Sequence, residues 1–131
     1  MTAYKDNFSA DIEVKWDTKI HNSGNLFFEL LTNIDKNELG WASYTTSDYI
    51  WYGDAQELIF YSFRAEDMRD FLKNHKGEYA TREANDYNNR DGTIRKKSLG
   101  ATVPLSLFRK YYHVQEINIR DRLAQQKSKD F

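Results

Sequence analysis

Asp11-Ile12-Glu13-Val14-Lys15-Trp16-Asp17 is the stretch on which the fold turns, with Gly24-Asn25-Leu26-Phe27-Phe28-Glu29-Leu30-Leu31 following after a short polar gap. The first run alternates strictly: Ile12, Val14 and Trp16 fall on one side, and Asp11, Glu13, Lys15 and Asp17 on the other. A period of two marks a strand with one face in a core. The second run is apolar on both sides apart from Asn25 and Glu29, as an interior strand would be. The gap ends in Asn22-Ser23-Gly24, a turn signal. The two runs are therefore expected to pair as an antiparallel hairpin. That would gather carboxylates and one ammonium on one side of a sheet.

Working outward, Asp48 to Tyr52 and Glu57 to Phe63 read as two more strands around a turn at Gly53-Asp54-Ala55-Gln56. Trp41 to Ser47 is ambiguous, with room for one turn of helix. Residues 64–76 carry the best helical pattern: Met68, Phe71 and Leu72 share a face, Glu66 and Asp67 sit in the first turn, and Lys73, His75 and Lys76 in the last, before Gly77. Glu78 to Ser98 is polar and reads as a loop holding at most one weak strand pair. Gly100 to Val103 is a short strand, and Pro104, the sole proline, opens a helix to Tyr112. Val114 to Ile119 is a last strand. The fold class expected is α/β (α+β), a mixed β-sheet flanked by helices, in one domain over residues 1–119 with a charged tail over 120–131.

The 131 residues contain no cysteine, which excludes disulfides, thiolate zinc sites and a Cys nucleophile. No run of about 18 apolar residues occurs, and the first residues lack a signal-peptide pattern. The expectation is a soluble cytoplasmic protein with no membrane partner. The net charge of −1 excludes nothing by itself, so the distribution has to inform. Between Arg82 and Lys110, seven cations face three anions, a local charge of +4. Arg82, Arg90, Arg95, Lys96 and Lys97 are the candidate contacts to a DNA backbone, with Tyr87 and several Asn as neutral donors. A solvated loop would have the same composition. His21, His75 and His113 are scattered, and Trp41, Tyr44, Tyr49, Trp51 and Tyr52 read as core and sheet packing.

An Asp and a Glu on one strand face suit a hard divalent cation, Mg²⁺ or Mn²⁺, which takes one or two carboxylates, a carbonyl oxygen and water. Asp11, Glu13 and the carbonyl of Val14 are the candidate ligands. Such an ion polarises a phosphoryl oxygen and lowers the pKa of bound water. Lys15 would orient that water or meet the developing charge. Glu29, flanked by Phe27, Phe28, Leu30 and Leu31, is costly to bury without a cation or donor and would support the site from the neighbouring strand. A strand with one solvated face explains the same charges without chemistry.

Glu13-Val14-Lys15 followed by Asp17, then Gly24-Asn25 and the strand holding Glu29, then Thr46-Ser47-Asp48-Tyr49, resembles the PD-(D/E)XK nuclease superfamily, and most of all its small phage forms. The segment from Asn85 to Gly92, Gly100 and Val103-Pro104 resembles the distal half of those proteins, so the likeness covers about residues 10–119. It implies a restriction-endonuclease-like mixed core and divalent-metal-dependent cleavage of DNA, with Glu13 and Lys15 matching the E-x-K pair. Family members usually carry their metal-binding Asp on a strand upstream. Here Asp11 on the same strand, or Asp6 on a short preceding one, would take that place. The resemblance also implies a second copy of the chain as partner for cutting both strands. The alternative on the same scaffold is a catalytically impaired, virus-encoded accessory or anti-defence protein that binds DNA or a host protein.

Overall fold

The computed structural model describes residues 2–5 and 8–123. In chain order the elements are β1 (Thr2–Lys5), β2 (Phe8–Asp17), α1 (Ile20–Ser23), β3 (Asn25–Asn33), β4 (Glu38–Leu39), α2 (Trp41–Tyr44), β5 (Tyr49–Asp54), β6 (Ile59–Arg64), α3 (Ala65–Asn74), β7 (Ala80–Tyr87), β8 (Ile94–Pro104), α4 (Leu105–Tyr111) and β9 (Gln115–Asn118). The fold is α+β. A five-stranded sheet runs β1-β2-β5-β6-β9 and a four-stranded sheet runs β4-β3-β8-β7. Only β2 and β5 run parallel, with Glu13 opposite Ile50 and Lys15 opposite Tyr52. The first sheet is therefore mixed and the second antiparallel.

The core lies between the sheets. Leu26 and Phe28 of β3 and Ala101 and Val103 of β8 meet Ile50 and Tyr52 of β5 and Phe63 of β6. Met68 and Phe71 of α3 and Phe108 of α4 close one end. Phe28 is the hub, with its ring centroid 5.8 Å from Phe63, 5.9 Å from Phe108 and 6.0 Å from Trp41. Burying each such ring contributes about 1.5–3 kcal/mol.

Three expectations need correcting. The runs read as one hairpin do not pair: β2 joins the first sheet and β3 the second. Alternation specifies a strand and its faces but not its neighbour. Here β5 offers β2 the inward Ile50 and Tyr52, while β8 offers β3 the inward Ala101 and Val103. The polar stretch read as a loop is mostly the long hairpin β7–β8. Its ladder is held by pairing of opposite charges, including Arg95 with Asp86 and Asp86 opposite Lys96, so it needs little apolar burial. The turn expected over 53–56 falls over 55–58. Gly53 stays in the strand, paired with Trp16 and Phe60, and its lack of a side chain leaves room for their rings.

The tail begins in a helix. Residues 119–123 are helical, Asn118 Oδ1 accepts the Asp121 N–H at 2.9 Å, and the Ile119 N–H donates to the Leu58 carbonyl at 3.0 Å. The rest of the tail, from residue 124, lies outside the described residues. No described helix is long and apolar enough to cross a membrane.

Candidate functional site

The charged side of β2 points inward. Residues opposite one another in a ladder share a face, and Glu13 and Lys15 lie opposite Ile50 and Tyr52, both buried in the core. The tryptophan side points outward: Trp16 packs on Phe60 at 4.5 Å and Trp51 on Phe60 at 5.5 Å. This corrects the expectation for Val14 and Trp16, which lie outside the core, whereas Ile12 on the same side is buried. The aromatic rings of β5 and β6 supply a second apolar surface on the outer face, so that side of β2 is also served. Glu13 and Lys15 are consequently half-buried, with side chains 28 % and 32 % exposed and 3.6 Å between Oε1 and Nζ. The Lys15 ammonium also lies 5.3 Å from the Trp41 ring centre, a cation–π contact.

Beyond Lys15 the sheets part into a cleft of about 850 Å³. Its walls are the end of β2 and the chain to Lys19, the start of β3 from Asn25 to Phe27, and β7 from Arg82 to Asn85 with Tyr87. Trp41, Tyr52 and Thr102 also line it. Phe27 has room because its ring lies against Gly100, where any side chain would strike it.

One hydroxyl ties the walls together. Tyr52 Oη donates to the Asp17 carboxylate on β2 and accepts the Phe27 N–H of β3 at 3.0 Å. Asp17 Oδ1 in turn accepts the Lys19 and Ile20 N–H groups at 2.6 and 3.1 Å and so starts α1. Burial, and then the bond to Asp17, push the Tyr52 phenol far above the ordinary tyrosine range. Thr102 Oγ1 is the one buried side-chain oxygen without a partner among the described residues.

The predicted site residues are only partly gathered. Asp11, Glu13 and Lys15 share a face of β2, and the Asp11 N–H donates to Asp48 Oδ2 at 3.0 Å. The Val14 carbonyl is well placed. The Asp11 and Asp17 carbonyls accept N–H groups from Asp48 and Ala55 on the β5 side, so by alternation the Val14 carbonyl points to the opposite edge of β2, which β1 pairs only as far as Asp11. Glu29 is not with them. It lies in the other sheet opposite Gly100, and its neighbour Phe28 points into the core, so Glu29 points away from it. Its backbone and side chain pack against Gly40 instead. The expectation of support from Glu29 fails because it assumed the β2–β3 pairing. Asp6 lies outside the described residues.

The basic residues also divide. Arg82 lines the cleft. Arg95 is held by Asp86, Lys96 Nζ donates to Thr32 Oγ1 at 3.0 Å, Lys97 lies opposite Asn85, and Arg90 sits in the hairpin turn. They form no single stripe. Lys19, Phe27 and Tyr52 were not picked out by sequence as site residues. They converge only through the sheet topology, and Tyr52 was read simply as packing.

Among the described residues, no three His, Asp or Glu side chains gather closely enough to hold a metal ion by themselves. Mg²⁺ does not require such a cage, since it is commonly held by one or two carboxylates, waters and substrate phosphate. Glu13 with the outward Val14 carbonyl fits that looser donor set. Compared with protein-family models, curated proteins and solved structures, the chain matches none.

Proposed function

We propose that the protein is a divalent-metal-dependent nuclease that hydrolyses DNA phosphodiester bonds, acting in the cytoplasm, with a phage setting. The observation that carries the reading is the placement of Glu13 beside Lys15 on the inward face of β2, half-buried, with Lys15 at the wall of an 850 Å³ cleft. A merely solvated charge pair would lie on the outer face.

Glu13 and the Val14 carbonyl would hold Mg²⁺ or Mn²⁺ together with a substrate phosphate, and Asp11 lies two residues along the same face. When bound, the ion supplies polarisation of a phosphoryl oxygen and a more acidic water. The Lys15 ammonium, positioned by Glu13 and the Trp41 ring, would donate hydrogen bonds to the attacking water or to a phosphate oxygen. The partial burial strengthens that interaction over one in bulk water. A second copy of the chain would supply the cut on the opposite strand.

A second reading is favoured by one observation. The Lys15 ammonium already has two partners, and no three His, Asp or Glu side chains among the described residues gather at Glu13 to hold a metal ion. On that reading the scaffold binds DNA or a host protein without cutting. Plasmid nicking separates the two. The nuclease reading expects cleavage with Mn²⁺ and none with EDTA, and a loss of roughly 100-fold or more in Glu13→Gln with an unchanged melting curve. Undiminished cleavage by the pure variant overturns the role given to Glu13, and no cleavage by the native chain with either ion leaves the binding reading.

A further inference from the structure

The cleft beside Glu13 and Lys15 has a chemistry of its own, and it narrows the substrate class; this inference rests on the nuclease reading for its place in function but not for its test. Two cations in the walls are uncommitted. Among the described residues neither Lys19 Nζ nor the Arg82 guanidinium has an ion pair, whereas Arg64, Arg95 and Arg109 all do. Among the described residues, Glu83 is the cleft's only other carboxylate besides Asp17, and Asp17 is taken up by Tyr52, Lys19 and Ile20. Phe27 and Tyr87 both line the same space, Tyr87 with 53 % of its surface exposed.

We propose that this cleft holds an unpaired stretch of nucleic-acid strand, with its phosphates on Lys19 and Arg82 and a base against Phe27 and Tyr87. Aromatic faces take bases in a sequence-tolerant way while cations track the backbone. A duplex keeps its base faces in the stack and would offer this cleft phosphates alone, leaving the rings without a partner. The volume also lies within the range of small-ligand pockets, roughly 300–1,000 Å³, which accommodates a short flexible strand and not a double helix. Lys15 belongs both to the cleft wall and to the Glu13 pair, so a strand lying here passes the proposed reactive group.

The test is fluorescence anisotropy in EDTA, with labelled oligodeoxyuridylate, oligouridylate and a duplex of equal length, so that cleavage plays no part. At least one single strand binds roughly tenfold or more tightly than the duplex. Which of the two leads identifies the sugar. Arg82→Gln and Lys19→Gln each weaken that binding and each reduce the salt slope by about one. Tyr87→Ala weakens it roughly fivefold or more and leaves the salt slope alone. Tyr87→Phe, which keeps the ring, restores the affinity, and it separates stacking from a folding defect. Equal or tighter binding of the duplex, or wild-type affinity in all three weakening variants, overturns the proposal. Single-strand binding without cleavage by the native chain would retire the nuclease reading and leave this one standing.

Discussion

The two ends of the core use the same chemical pair in opposite surroundings. At the cleft end, the buried Tyr52 hydroxyl meets Asp17, a half-buried carboxylate at the cleft wall. At the helical end, the Tyr112 hydroxyl donates to Asp70 of α3, and the Tyr111 hydroxyl to Glu78, which also meets His75 Nδ1. Those carboxylates are exposed. In both places a phenol holds two elements together, but only at the cleft end is the phenol itself buried. The helical end is in any case closed by packing, with Phe71 and Phe108 rings 5.7 Å apart and both fully buried. The cleft end has no such plug, so the hydrogen bonds of Tyr52 and Asp17 set the spacing of its walls.

The most damaging change should be Asp17→Ala. It removes the acceptor of the Tyr52 hydroxyl and of two N–H groups at the start of α1, a combined loss of about 2–4 kcal/mol. Urea denaturation would read it directly. A loss below about 0.5 kcal/mol would show that the two ends do not differ as claimed.

Next in size is Tyr52→Phe, which leaves the Asp17 oxygen and the Phe27 N–H to find other partners, at about 1–3 kcal/mol. It has a pH signature as well. The folded phenol is held protonated above the usual range, first by burial and then by Asp17, whereas the unfolded chain ionises near pH 10. The raised group contributes its stability below that unfolded value and loses it as pH rises beyond. The native chain should therefore weaken above about pH 10 more steeply than Tyr52→Phe. Phenolate absorbance should show Tyr52 ionising only with unfolding.

Periodicity made much of the architecture legible. The strands around Glu13, Phe28, Ile50 and Phe60 and the helices around Phe71 and Phe108 lie within a few residues of where the pattern of apolar side chains puts them. Sheet membership was not legible, because a period of two says which residues share a face and not which strand lies alongside. For the same reason the inward turn of Glu13 and Lys15 was hidden. Either side of β2 can be apolar-matched, and it is Trp51 and Phe60, far along the chain, that draw Trp16 outward. The hairpin β7–β8 escaped because it is held by charge pairing and ladder bonds, so its composition is that of a loop. Within the candidate site, the adjacency of Glu13 and Lys15 follows from two-residue spacing alone. The cleft does not, since Lys19, Phe27, Tyr52 and Arg82 come together only once two sheets are packed.

The mildest expected effect is at the exposed end. Asp70 is held below the usual carboxylate range by the bonds from Tyr112 and then Asn74, and Glu78 by those from Tyr111 and then His75. A depressed carboxylate contributes stability above its unfolded value and loses it as pH falls through the folded one. Both groups therefore act throughout the range above their unfolded values, and their contribution drains away below about pH 4. Tyr111→Phe with Tyr112→Phe should shift the neutral-pH midpoint slightly, since water replaces the lost donors, and should flatten the acid limb of the stability curve. At a pH where both carboxyls are protonated, the double variant and the native chain should unfold together. If the double variant instead proves as damaging at neutral pH as Tyr52→Phe, burial is not what separates the two ends, and the spacing of the cleft walls cannot be assigned to the Tyr52 bond.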